Sequence, residues 1–309
     1  MRQFYLSLPR WLRWSLNGFL LLTLTCGMLV GSAWWYLNPT VERTDGVVYG
    51  SRHGKPLTMD VIQPSNPNGY GVALMVSGSW KSGEPGETPV WLMAPLLRRG
   101  FSIFAVCHIS QPDATVMEII EDVHRGLRFI RHHADDYGID PDHMGVTGGS
   151  AGGHLSLMLA TCGGPGAVDA EDPVDRESSA VQAVAIFYPV TDLLNLGDST
   201  ENPGDGGPPI NYVEAFGPDS KIMDKWKVIG RDCSPIYHVH DSLPPTLIHH
   251  GDADTLVPLD QSQRYVAEAI EQGTTIDLKV HPGGGHGWTT ALWDVRQFAI
   301  WFEQHLPVQ

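Results

Sequence analysis

Two runs, 72–76 (VALMV) and 101–106 (FSIFAV), are apolar almost without a break, yet only five or six residues long. A run that short and that uniform suits a strand buried on both faces, because a face open to water would demand alternation. Other elements must then cover both sides. Between Val116 and Ala134 the apolar residues Val116, Ile119, Ile120, Val123, Leu127, Ile130 and Ala134 recur three or four apart, the stripe of one helix face. Further strands are predicted over 143–147, 181–188, 246–250 and 276–280, and helices over 91–99, 151–161, 261–271 and 291–305. Segments 47–49 and 57–62, separated by Ser51-Arg52-His53-Gly54, read as a β-hairpin. This alternation predicts an α/β chain whose mostly parallel central sheet is flanked by helices.

One stretch breaks the rhythm. Residues 195–239 are rich in Gly, Pro, Asp and Ser, including Gly204-Asp205-Gly206-Gly207-Pro208-Pro209. A long insert inside a compact domain is usually functional or mobile, and this one is expected to cap the mouth of a site.

The N-terminus has a different character. Residues 16–37 form an apolar run preceded by Arg2, Arg10 and Arg13, with Trp11 and Trp14 at one end and Trp34, Trp35 and Tyr36 at the other. As a helix it would rise about 33 Å, enough to cross a hydrocarbon core of about 30 Å, with its aromatics at the two interfaces. Gly31-Ser32-Ala33 also fits a cleavage site after Ala33, so a removed signal peptide is the alternative; the run exceeds the usual signal core of about 7–15 residues, which favours an anchor. Either way the arginine flank places the body outside the cytoplasm. The expected layout is a cytoplasmic segment 1–15, an anchor or signal segment 16–37, a stalk 38–45 and one catalytic-sized α/β domain 46–309.

The chain has 35 acids against 20 bases, and the first 37 residues contain three of the bases and no acid. The body therefore carries −18, which repels nucleic acid and anionic head groups. Cys26, Cys107, Cys162 and Cys233 are widely spaced and read as buried free thiols, with neither a disulfide framework nor a structural metal.

Chemistry concentrates in three loops. Gly148-Gly149-Ser150-Ala151-Gly152-Gly153-His154 follows a strand and opens a helix. Such a tight turn lifts a serine hydroxyl clear of the sheet, and the helix N-terminus directs the Ala151 N–H toward developing negative charge. A serine hydroxyl needs a base, and the base an acid to orient it. His286, on the glycine-rich loop after the last strand, is the candidate base; His281 at the strand end is assigned a structural part. In His250-Gly251-Asp252-Ala253-Asp254 two acids qualify: Asp254 is preferred as orienter, Asp252 is expected to brace the loop, and Asp192 is a further candidate. The loop after 72–76 reads Ser77-Gly78-Ser79-Trp80, and the backbone N–H groups of Gly78 and Ser79, opposing Ala151, are the expected oxyanion donors. Trp80, Trp91 and Trp288 are candidates to line a substrate site, although tryptophan more often packs in a core. No cofactor is expected: nothing here has the P-loop lysine or the dinucleotide-type glycine spacing.

With these motifs in place, and with Tyr137-Gly138-Ile139-Asp140-Pro141 and Val257-Pro258 beside them, the chain from about Asp45 to Leu306 resembles the acetyl-esterase/lipase branch of the α/β-hydrolases. That branch includes the hormone-sensitive-lipase-like enzymes and the bacterial feruloyl and acetyl-xylan esterase-like domains. The resemblance implies a serine esterase with Ser150, His286 and Asp254 as triad, acting on short-chain or carbohydrate-linked carboxylic esters. A serine amidase or peptidase on the same fold, or an inactive binding module, are the competing expectations. Val76 and two serines stand where the branch usually has His-Gly-Gly-Gly-Trp, a change that leaves backbone donors available.

Overall fold

The computed structural model describes residues 9–306. Arg2 and the rest of segment 1–8 lie outside the described residues, so the basic flank is represented by Arg10 and Arg13.

Eight strands form one sheet: β1 (Val41–Arg52), β2 (Lys55–Pro64), β3 (Gly71–Met75), β4 (Ser102–Val106), β5 (Met144–Gly149), β6 (Ala183–Phe187), β7 (Thr246–Gly251) and β8 (Ile276–His281). Their order is β1-β2-β4-β3-β5-β6-β7-β8. Strand β2 runs antiparallel to both of its neighbours, and all pairings from β4 to β8 are parallel. Successive residues of the central strands enter opposite cores, the direct consequence of a two-residue side-chain period. In β3, Val72 and Leu74 join one apolar cluster and Ala73 and Met75 the other; in β4, Ile103 and Ala105 oppose Phe104 and Val106.

The first of those clusters is closed by α2 (Val90–Leu97) and α8 (Ala291–His305), through Met93, Leu96, Leu97, Val295, Phe298 and Phe302. The second is closed by α3 (Val116–His132), α5 (Ala151–Cys162) and α7 (Leu259–Glu271). Helix α3 begins at a capping box, Thr115 with Glu118, which satisfies two otherwise orphaned backbone donors, and it buries Val116, Ile119, Val123, Leu127 and Ile130. Helix α5 is buried on all sides, so its apolar residues show no polar stripe. A four-residue turn, α4 (Ala134–Tyr137), follows α3.

Helix α1 (Arg10–Leu37) spans 28 residues, none of them buried. It rises about 42 Å and is long and apolar enough to cross a membrane. Along it Ser15, Thr23, Thr25 and Ser32 return their hydroxyls to carbonyls three or four residues back, which satisfies them without water. Its end is tied to the domain by Arg98, which donates to the Trp35 and Tyr36 carbonyls and lies 4.1 Å from the Trp35 ring centroid.

The expected stalk 38–45 is displaced: β1 begins at Val41, because Val41–Thr44 pair with Val61–Pro64 and extend the hairpin. The four cysteines are free, yet only Cys107 and Cys233 are buried. Cys26 lies on the uncovered α1, and Cys162 at the open end of α5, so both are exposed against expectation.

Burial pushes the pKa values of His108, His124 and His154 down to about 4, with Arg128 adding a smaller repulsion at His124. Each is neutral when folded but takes up a proton in the unfolded chain below pH 6.5. The stability they contribute is complete above that pH and is lost as pH falls from 6.5 toward 4, each residue accounting for on the order of 1–2 kcal/mol at pH 5. Thermal melts should show Tm lower by several degrees at pH 5 than at pH 7; an unchanged or higher Tm at pH 5 would contradict this account.

Candidate active site

Ser150 occupies the single position between β5 and α5, with φ 55° and ψ −121°. A non-glycine residue there is strained by roughly 1–3 kcal/mol and is held by its surroundings. Its N–H donates to the Phe187 carbonyl on β6, and the next helical N–H but one, Gly152, donates to the Ser77 carbonyl beyond β3. Those bonds bring backbone against backbone. A Cβ on Gly148 would meet the Gly152 backbone at 2.5 Å, and one on Gly152 would meet the Met75 carbonyl oxygen at 2.5 Å. The glycines are there because a methyl group does not fit.

The loops after β7 and β8 carry the partners, and they are stitched together. Ala253 N–H donates to the Gly284 carbonyl and Asp252 N–H to the His281 carbonyl, while the Asp252 carboxylate accepts from Gly283 N–H at 2.7 Å. Asp252 thus braces the loop, as expected. The stitching puts His286 Nδ1 2.7 Å from Asp254 Oδ2 and His286 Nε2 2.9 Å from Ser150 Oγ. Asp254 Oδ1 accepts from the Leu256 and Val257 N–H groups at 3.0 Å each. Burial alone would raise the Asp254 pKa; the imidazoles of His250 and His286 and the Val257 amide outweigh it and hold the carboxyl well below the usual range. Asp254 is therefore a fixed anion at neutral pH. Asp192 is elsewhere engaged, paired with Arg264 and accepting from Tyr237 Oη, Leu194 N and Asn195 N.

The oxyanion expectation needs one correction. Gly78 N–H already donates to the Lys81 carbonyl at 2.9 Å, in a small bridge that closes the loop, so Gly78 does not face the serine as a free donor. Ser79, turned to φ 54°, and Ala151 line the same cavity as Ser150, and their amides have no backbone partner among the described residues.

That cavity opens to solvent, with about 430 Å³ of free space counting its mouth, and its apolar walls include Val190, Leu193, Leu196, Leu256 and Val257. Segment 195–239 contributes Leu196, Ser199, Glu201, Pro209 and Tyr212 to the lining. It is no loose flap: 3₁₀ turns at 210–216 and 218–221 lead into α6 (Met223–Asp232), with Phe216 and Trp226 fully buried. Trp80 lines the cavity and joins it to this packing, donating its indole N–H to His154 Nδ1 and standing edge-on to Tyr212 and Phe216. Trp288 does not line it. Its ring stacks on His281 at 4.1 Å and its N–H is taken by Asp294, which turns it away from the serine; Trp91 is exposed on α2.

Two residues escaped the sequence reading. Tyr188 packs its ring 4.5 Å from that of His286 and shelters it, and Tyr212 Oη lies 3.0 Å from Ser79 Oγ. Neither sits in a motif, although a tyrosine directly after a buried strand was a usable signal for the first.

Residues 59–268 match the family model BD-FAE. The chain belongs to the BD-FAE family. The matched span holds Ser150 and Asp254, and His286 lies beyond it. Among curated relatives of this BD-FAE chain, Esterase LipQ of Mycobacterium tuberculosis (strain ATCC 25618 / H37Rv) is 30% identical over 69% of this chain and 49% of its own length. An acetylxylan esterase of Xylanibacter ruminicola is 25% identical over 78% of this chain and 44% of its own. The chain thus spans about half the length of the curated relatives it matches. A carbohydrate esterase from gut microbiota, a solved structure, superposes with a TM-score of 0.64 at 25% identity, covering 85% of this chain and 96% of that one. The fold is that of the α/β-hydrolases.

A Gly152→Ala variant should lose most of its soluble folded yield or most of its reactivity toward a fluorophosphonate probe, since the new methyl group displaces either β3 or the turn at Ser150. Full labelling at wild-type yield would show that the crowding is not limiting.

Proposed function

We propose that this chain is a serine carboxylic-ester hydrolase that works through an acyl-enzyme, with Ser150 as nucleophile, His286 as general base and then acid, and Asp254 as the anion that orients the imidazole. One observation carries the reading: His286 bridges Ser150 Oγ and Asp254 Oδ2 at 2.9 and 2.7 Å, both within proton-transfer reach. His286 takes the hydroxyl proton as Oγ attacks the ester carbonyl. The oxyanion that forms is met by the amides of Ser79 and Ala151, and the N-terminal dipole of α5 adds to them. The proton then passes to the departing alkoxide; water repeats the sequence on the acyl-enzyme.

The acyl group is short. Each CH₂ buried against Leu193, Leu196 and Val257 stabilises the complex by about 0.8 kcal/mol, but Glu201 also lines the cavity. Its carboxylate is held by Asn211, through the backbone N–H and the side-chain amide, and covering it with a longer chain removes the water it retains. The acetylxylan esterase among the relatives and the carbohydrate esterase among the solved structures support acetylated carbohydrate as the ester. Helix α1, with Arg10 and Arg13 at its start, supports a membrane-tethered enzyme whose domain faces away from the cytoplasm.

Assays with p-nitrophenyl esters graded by acyl length should peak between acetate and butyrate and fall steeply by octanoate. Ser150→Ala should lower kcat by about 10⁶-fold and Asp254→Asn by about 10⁴-fold, and fluorophosphonate labelling should vanish in the first. Labelling that persists in Ser150→Ala, or turnover of aminoacyl anilides in place of esters, would displace the assignment. Alkaline carbonate extraction should leave the full chain in the membrane pellet; recovery of a soluble form starting near Trp34 would replace the anchor with a cleaved signal.

A further inference from the structure

Away from the residues that line the cavity, three potential metal ligands converge. His249 lies within β7, His281 is the last residue of β8, and Asp294 lies in the first turn of α8. Their donor atoms cluster: His249 Nδ1 is 2.9 Å from His281 Nε2 and 3.8 Å from Asp294 Oδ1, and His281 Nε2 is 3.7 Å from Asp294 Oδ2. A tetrahedral ion with metal–donor bonds of about 2.0–2.1 Å sets its donors about 3.3–3.4 Å apart, so shifts of about half an ångström would seat one.

We propose that His249, His281 and Asp294 bind one divalent ion of the zinc, cobalt and nickel group. Imidazole nitrogen with one carboxylate is the donor set those ions prefer. His249 is fully buried and turns Nδ1 to the cluster. Phe187 and Phe298 stand around its ring. The Asp294 carboxylate is oriented by Trp288 Nε1–H at 2.6 Å and by Gln297 Nε2–H at 3.3 Å, the outer hydrogen bonds that ligating groups commonly receive. His281 is partly exposed and lines an open cleft of about 630 Å³ with Trp288 and Gly284, which leaves a path for the ion and room for a water as fourth ligand.

Without an ion, two ring nitrogens face each other 2.9 Å apart and must share one proton. With it, both present lone pairs to a cation and the carboxylate balances part of the charge. The ion would clamp the ends of β7, β8 and α8, and so both ends of the loop Pro282–Thr290 that carries His286. This site is independent of the ester chemistry: its ligands do not touch Ser150 or Asp254.

The full chain, purified in detergent micelles and stripped with chelator, should take up one equivalent of Zn²⁺ and, with Co²⁺, show the visible absorption of a tetrahedral site. Zn²⁺ should also raise its Tm. His281→Gln and Asp294→Asn should each weaken Zn²⁺ binding by at least about 100-fold, more than the loss of an outer hydrogen bond would, and abolish the rise in Tm. Substoichiometric uptake by the stripped wild type, which needs no variant to fold, would overturn the proposal. So would Zn²⁺ binding in either variant as tight as in the wild type. Esterase activity is not the readout, so either result leaves the assignment of Ser150 to be judged separately.

Discussion

A methyl group on Gly152 would lie 2.5 Å from the Met75 carbonyl oxygen, and one on Gly148 would strike the Gly152 backbone at the same distance. That crowding sets the position of everything near Ser150. It lets the first turn of α5 press against the end of β3, where the Gly152 N–H reaches the Ser77 carbonyl. The same contact fixes how the loop 77–81 leaves β3, and with it where the Ser79 amide lies relative to Ala151. The unfavourable backbone angles at Ser150 are tolerated because hydrogen bonds and packing on both flanks hold them. Ser150 and the amides of Ser79 and Ala151, the proposed nucleophile and oxyanion donors, are thus one mechanical unit.

His286 and Asp254, the proposed base and acid, form a second unit. Gly251 approaches Gly284 so closely that a Cβ there would sit 2.1 Å from its carbonyl oxygen, and the loops after β7 and β8 exchange hydrogen bonds across that gap. His286 meets Asp254 because the loops are joined. The two units meet at the His286–Ser150 contact, which is more exposed than the His286–Asp254 contact, so small movements of the glycine-rich loop act there first. Clamping that loop at both ends through His249, His281 and Asp294 would reduce the freedom that four glycines otherwise allow.

The segment 195–239 shows how an irregular stretch becomes part of a core. Its polar, glycine-rich composition carries no helical or strand period, yet Phe216 and Trp226 anchor it below Trp80, and Tyr212 reaches the oxyanion loop through Ser79. Buried aromatics hold this segment, so the shape of the cavity belongs to the folded state of the domain.

Periodicity and local chemistry were enough to read much of this protein from its residues. The apolar runs made buried strands, the stripe at 116–134 made a helix, and the glycines about Ser150 and His286 marked the turns, because each of those signals acts within a few residues. The proposed triad residues Ser150, Asp254 and His286 stood out for the same reason, each lying on a loop that follows a strand, and the structure brings them into contact. Only the tertiary structure decided what depends on distant partners. Residues 41–44 became strand through pairing with 61–64; Gly78 lost its free N–H to Lys81; Trp288 turned toward Asp294 and left the cavity to Tyr212. The cluster of His249, His281 and Asp294 belongs to this second kind, since its members share no motif and meet only where two parallel strands and a helix end side by side. Local backbone preference is written in adjacent residues, whereas the direction a side chain faces is settled by whichever distant atoms the fold brings against it.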